Sequence, residues 1–187
     1  MNPRPVVLSL GSNLGDRLAN LQSGIDALAA APGITATAVS AVFETSPVGG
    51  PDQPDYLNAV LLAYSDRPAR EILGRCQAAE QSRGRERRVR WGPRTLDIDI
   101  ISCGAEMSDN PQLTLPHPRA HERAFVLVPW HDVDADASLP GYGPVSGLIA
   151  RLSTGVGPAG GTGASTVRRR SDLRLTLRPR ATANQGG

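Results

Sequence analysis

The chain contains no lysine at all. Every cationic role therefore falls to arginine, and the lysine-bearing loop that cradles phosphate in P-loop enzymes is excluded. So uniform a bias points to GC-rich coding rather than to function. Cysteine is scarce too. Cys76 and Cys103 are the only two thiols, and their spacing suits neither a disulfide framework nor a metal cluster. Reduced, structural thiols in a cytoplasmic protein are expected. The three histidines, His117, His121 and His131, lack the close spacing of zinc ligands. No apolar run is long enough to span a bilayer, and Met-Asn-Pro-Arg-Pro at the start has no signal-peptide features. No Ser-His-Asp or Cys-His grouping stands out, so nucleophilic catalysis has little support. No internal repeat is visible.

What is present fits one soluble domain. A chain of 187 residues with 40% apolar content can bury one real core. The net charge of +2 hides an asymmetry. Residues 161–187 hold six arginines against one acid, Asp172, while the preceding body is slightly acidic. Residues 153–165 are rich in Gly, Ser and Thr and read as a linker. We therefore expect a catalytic domain over residues 1–152 and a linker with a basic tail over 153–187. Leu173, Leu175 and Leu177 alternate, so an added edge strand over 167–177 is expected, with a disordered end.

Periodicity outlines the body. Val6 to Leu10 reads as a strand. Gly11 to Asp16 reads as a tight turn and helix cap. Leu18, Leu21, Ile25 and Leu28 lie at helical spacing up to Pro32-Gly33. Residues 34–45 read as a second strand, Ser46 to Asp55 as a loop, and Tyr56 to Tyr64 as a third strand. Pro68 opens a second helix, with Ile72, Cys76 and Ala79 on one face, ending near Gly84. A fourth strand carries Asp97 and Asp99. The order β-α-β-β-α-β is that of an α+β, ferredoxin-like antiparallel sheet with helices on one face. The other face is then open for a site.

The segment Arg90-Trp91-Gly92-Pro93-Arg94-Thr95-Leu96-Asp97-Ile98-Asp99 carries the most chemistry. Alternate residues of a strand share a face, so Asp97 and Asp99 stand side by side while Leu96, Ile98 and Ile100 point into a core. Adjacent carboxylates repel unless a cation lies between them. One reading is a solvated face paired to arginines. The other is a magnesium site, since that ion takes one or two carboxylates plus phosphate oxygens and water. Residues 83–94 hold six arginines. A solvated charge run or a nucleic-acid patch is the plain reading of such a stretch. Beside a magnesium site, it suits a loop that neutralises phosphates. Asn58 is unusual inside a strand. Its amide is either satisfied structurally or offered to a heterocycle edge. His117 is held between Pro116 and Pro118, with Arg123 and Phe125 nearby.

Four stretches in this order resemble the 6-hydroxymethyl-7,8-dihydropterin pyrophosphokinase family of the folate pathway. They are Leu10 to Gly15, Glu44 to Val60, Gly84 to Ile101 and Leu113 to Phe125, and the resemblance spans roughly residues 5–150. It implies transfer of diphosphate from ATP, as co-substrate, to the hydroxymethyl group of a reduced pterin, leaving AMP. It also implies that Asp97 and Asp99 bind two Mg²⁺ ions, and that Asp97, Asp99, Arg85 and Arg94 take part in catalysis. The nucleotide would meet Gln77, Glu80, Arg85, Arg87, Arg90, Trp91, Arg94, Ile100, Leu113, Thr114, His117 and Arg123. The pterin would meet Thr45, Ser46, Val48, Gly49, Tyr56, Asn58, Trp91, Asp97 and Phe125. Small molecules are then the expected partners of a cytoplasmic monomer, with no nucleic acid and no membrane. The rival class is an RNA-binding module on the same fold. It would call for exposed sheet aromatics and a basic body, whereas aromatics make up 4% of the chain.

Overall fold

The structure, a computed structural model, describes residues 2–47, 52–83, 93–154 and 166–178. Strand β1 (Arg4–Ser12) leads into helix α1 (Arg17–Ala30), then strands β2 (Ile34–Val39), β3 (Val42–Thr45) and β4 (Tyr56–Ser65). Helix α2 (Ala69–Gln81) and strand β5 (Asp97–Cys103) complete the βαββαβ unit. A small hairpin follows, β6 (Ser108–Asn110) and β7 (Leu113–Leu115). Then come helix α3 (Ala124–Val133), the short pair β8 (Ser138–Leu139) and β9 (Gly143–Pro144), helix α4 (Val145–Ser153) and strand β10 (Arg168–Arg170).

The main sheet runs β10-β3-β4-β1-β5, with β2 also paired to β4. Its pairings are all antiparallel. This is the βαββαβ order read from periodicity. The expected second strand is two. Ser40 and Ala41 interrupt it, because the Ser40 hydroxyl takes the Val60 N–H (2.9 Å) and Asp132 of α3 takes the Ala41 N–H (2.9 Å). Strand β1 also runs further than its apolar core suggests, through Gly11 and Ser12.

Alternation along the strands separates two cores. Val6, Leu8 and Leu10 of β1, Leu57 and Leu61 of β4, and Ile98 and Ile100 of β5 face α1 and α2. Helix α1 begins where the Asp16 carboxylate caps the Ala19 N–H (3.0 Å), and it ends where Pro32 cannot continue it. Its Leu21, Ile25 and Leu28 are fully buried. Gly24 lets the helix lie close, since a Cβ there would meet Leu10 and Leu96 side-chain carbons at 3.1 Å. Cys76 and Cys103 are both buried and free, and burial pushes the Cys76 thiol up to about 12.

The helices of the βαββαβ unit cover one face as expected. The second face is not wholly open. Val7, Val60 and Ile101 pack there beneath Val126, Leu127 and Trp130 of α3 and Leu148 of α4. A bulge in β5 opposite Val7 and Leu8 gives the strand the extra residue that seats Ile101 in this layer. Only the end of that face holding Asp97, Asp99 and Asn58 remains for chemistry. No helix among the described residues is long and apolar enough to cross a membrane.

Replacing Gly24 by Val should overpack the α1–sheet contact and cost about 1–3 kcal/mol. Urea denaturation measures this, and an unchanged midpoint would show that the contact has slack.

Candidate active site

Three strands end in the same place. Gly11 of β1 lies between Asn58 of β4 and Asp97 of β5, and Ser9 lies between Val60 and Asp99. Asp97, Asp99 and Asn58 therefore rise from one face of one sheet. A Cβ on Gly11 would sit 3.4 Å from the Asn58 amide oxygen. The bare glycine thus leaves the floor between them low. Asn58 is 4% exposed, and its amide donates to the Thr45 hydroxyl at 2.8 Å. Tyr56, opposite Thr45, donates its hydroxyl to the Gln53 amide oxygen at 3.3 Å.

Each carboxylate has a guanidinium partner. Arg94 hydrogen-bonds and ion-pairs with Asp97. Arg123 lies 3.3 Å from Asp99 Oδ2, its carbonyl accepts the Val126 and Leu127 N–H groups at the start of α3 (3.0 Å each), and its guanidinium lies 5.5 Å from the Phe125 ring centre. His117 Nε2 stands 3.8 Å from the same Asp99 oxygen. The ring is aimed by its neighbours: the His117 N–H donates to the Ile101 carbonyl (2.8 Å), and Nδ1 accepts the Arg119 N–H (3.2 Å). Nε2 also lies 3.3 Å from Arg123 Nη1, so an N–H donor faces each ring nitrogen.

The electrostatics follow from crowding. Burial and the charge of Asp97 raise the Asp99 carboxyl above its ordinary value, against the pull of His117, Arg123 and Arg94. Burial lowers the His117 imidazole, and Asp99 resists. Burial raises the Tyr56 phenol, Asp97 adds to the rise, and Arg94 opposes it. A carboxylate made harder to ionise by a like charge is one that gains from a cation. The donors are hard oxygens on neighbouring positions, which fits magnesium. Among the described residues no group of three His, Cys, Asp or Glu side chains could hold a metal. Two carboxylates with phosphate and water as the remaining ligands is magnesium's usual arrangement.

Some expected site residues lie elsewhere. The Ile100 side chain is 4% exposed in the α1/α2 core, because it alternates with Asp99, so only its backbone can reach a ligand. Glu80 is 3% exposed, and its carboxylate takes the Ile98 N–H at 2.8 Å. It holds the outer edge of β5. Gln77 is exposed on α2. Leu113 packs against the α1/α2 core, and the Thr114 hydroxyl donates to the Asn110 carbonyl (3.2 Å). Ser46 is exposed just past Thr45. A groove of about 450 Å³ beside Leu113 and Leu73 is lined by Arg4, Arg70, Glu106 and Gln112, and none of the carboxylate cluster lines it. The expectations for Val48, Gly49, Arg85, Arg87, Arg90 and Trp91 lie outside the described residues.

Asn13 escaped the sequence reading, which took its stretch for a simple turn. It is 2% exposed. Its amide donates to Gln53 Oε1 (3.0 Å) and to the Pro54 carbonyl (3.1 Å), and its amide oxygen accepts the Arg94 N–H (2.7 Å). Its own N–H donates to the Arg94 carbonyl (3.0 Å). One side chain thus ties the loop before β4 to the loop before β5. The partners lie 40 and 81 residues away in sequence, so no local signal reveals them. Asn13→Ala should cost about 1–3 kcal/mol through orphaned buried partners, with lower affinity for whatever Tyr56 and Arg94 bind. A wild-type denaturation midpoint would refute the staple.

The family model described as 7,8-dihydro-6-hydroxymethylpterin-pyrophosphokinase matches residues 7–135. The chain is similar to proteins named 2-amino-4-hydroxy-6-hydroxymethyldihydropteridine pyrophosphokinase. The Mycobacterium tuberculosis relative is 48% identical over 162 residues, covering 79% of this chain and 83% of the relative. That of Mycobacterium leprae is 52% identical over 145 residues, covering 72% and 74%. That of Bacillus subtilis is 41% identical over 126 residues, covering 67% and 75%. The fold is similar to a crystal structure of wild-type Plasmodium falciparum HPPK-DHPS, with a TM-score of 0.64 at 12% identity over 82% of this chain. The chain spans 46% of that longer protein, and this likeness concerns the fold alone.

Proposed function

The chain belongs to the 7,8-dihydro-6-hydroxymethylpterin-pyrophosphokinase family, and we propose how its own side chains divide the work of that reaction. It is a diphosphotransferase: diphosphate passes from ATP to the hydroxymethyl group of 6-hydroxymethyl-7,8-dihydropterin, and AMP leaves. The observation that supports the division of labour is the face shared by Asp97, Asp99, Asn58 and Tyr56, ringed by Arg94, Arg123 and His117.

On this reading Asp97 and Asp99 hold two Mg²⁺ ions. Bound magnesium neutralises phosphate oxygens and aligns the triphosphate for attack. The pterin lies against Thr45, Tyr56, Asn58 and Phe125, and the family resemblance assigns Ser46, Val48, Gly49 and Trp91 to it as well. The Asn58 amide offers the donors and acceptor that a pterin edge needs. The pterin hydroxyl oxygen bonds to the β-phosphorus of ATP as the bond from that phosphorus to the AMP oxygen breaks. On this reading the hydroxyl proton passes to Asp97.

Arg94, Arg123 and His117 hold charge that grows on the phosphate oxygens and the departing AMP. The family resemblance assigns Arg85, Arg87 and Arg90 to the same neutralising role. Leu113 and Thr114, Gln77 and the Ile100 backbone take the nucleoside end. Glu80 acts at one remove, by holding the Ile98 amide and so the spacing of the two aspartates. Positioning and electrostatics, rather than a covalent intermediate, lower the barrier.

Incubation with ATP, Mg²⁺ and the reduced pterin should release AMP, and ADP as the product would overturn the reading. Asp97→Ala should stay folded and lose about a thousandfold in kcat, equivalent to several kcal/mol of lost charge stabilisation. Near-wild-type turnover at saturating Mg²⁺ would remove Asp97 from the metal site.

A further inference from the structure

Glu44 is a nearly buried carboxylate, 9% exposed, that the reaction does not use. It points away from the site face, toward the α1 side of β3. Three arginines meet it. Arg17 of α1 lies at 3.0 Å and Arg170 of β10 at 2.9 Å, and Arg168 of β10 makes a third, short contact. Two of the three come from the end of the chain, 124 and 126 residues away. Arg17 also donates to the Asp55 carbonyl at 2.7 Å. The cluster thus joins the two strand ends, Thr45 and Tyr56, between which the site loop runs.

The rest of the tail is tied down as well. Strand β10 pairs with β3 from Arg168 opposite Glu44 to Arg170 opposite Val42. Beyond it, Leu173, Leu175 and Leu177 pack on the α1/α2 core. Gln22 of α1 holds Thr176 from both sides, donating to its carbonyl (2.8 Å) and accepting its N–H (3.0 Å). Arg169 reaches Asp132 of α3 at 3.2 Å. A tail that was only a solvated basic extension would make none of these contacts.

We infer that residues 166–178 are a positioning strap for the pterin wall of the site: Arg168 and Arg170 hold Glu44, and through it they fix Thr45 and its partner Asn58. The inference rests on the reading of that wall given above. Strand β3 is only four residues long. Without β10 its outer edge would be unpaired, and Glu44 would keep one arginine of three. Thr45 is the next residue along the backbone, and its hydroxyl is what the Asn58 amide holds. A small displacement there misaligns a flat ring bound against both. The nucleotide side, built on β5, β7 and α3, touches none of the strap's contacts with Glu44. Arg168 and Arg170 are positioning residues, not catalytic ones.

The test uses the full-length chain with Arg168→Ala/Arg170→Ala beside Arg168→Lys/Arg170→Lys. The alanine pair should raise the KM for pterin on the order of tenfold, as misplacement of a binding group does. The KM for ATP should stay near wild type. The lysine pair should recover most of the loss, since each arginine gives Glu44 one contact that an ammonium can replace. A folded alanine pair with an unchanged pterin KM overturns the strap. So does a parallel rise in both KM values, or failure of the lysine pair to recover. If the alanine pair does not fold, Glu44→Gln takes its place with the same expected split, and a flat result there is equally fatal. Direct pterin binding to the unaltered protein separates the two ideas. No binding at all overturns the reading of the wall, whereas normal binding with an unaffected variant overturns the strap alone.

Discussion

Two negative charges on neighbouring same-face positions of one strand repel each other, and the site is organised around that repulsion. Asp97 and Asp99 cannot relax apart, because Leu96, Ile98 and Ile100 lock the strand into the core on the other side. The protein answers with positive charge from two directions. Arg94 arrives from the segment before β5, and Arg123 from the turn before α3. The Asp99 carboxyl still stands above its ordinary value, raised first by burial and then by the charge of Asp97. A pair of acids that is uncomfortable alone is well suited to cations carried in with a triphosphate. On the proposed roles, the same guanidiniums that pair with the two acids can then turn to phosphate oxygens.

Rigid backbone supports around this pair come from distant parts of the chain. Asn13 staples the loops before β4 and β5. Glu80 takes the Ile98 amide at the free edge of β5. Glu44 collects α1 and β10 behind the wall that carries Thr45. Each uses a buried side chain to satisfy backbone or charge that would otherwise be orphaned, and such supports cost free energy when removed because their partners stay buried. The tail belongs to this scheme. Its leucines close the open side of the α1/α2 core, and its arginines finish an edge strand that would otherwise be bare.

Much of the site was legible before the fold. The alternation around Asp97 and Asp99 gave their common face, because side-chain direction along a strand is a local property. The helix at 69–81 followed from apolar spacing for the same reason. Asn58 stood out as a misfit in a strand, and its partner Thr45 was invisible because it lies on another strand. Ile100 and Glu80 were legible only as members of the motif; packing decided that the Ile100 side chain points into the core and that the Glu80 carboxylate takes the Ile98 amide.

The sequence by itself determined the order of elements, the face on which the acids stand and the family to which the chain belongs. These depend on periods of two and 3.6 residues and on short contiguous motifs. Only the tertiary structure decided that α3 and α4 close half of the second sheet face, that Ser40 splits a strand, and that Asn13, Glu44 and the final arginines brace the site. Those outcomes depend on which backbone groups are left unpaired once the layers pack, and that question has no answer until residues far apart in the chain have met.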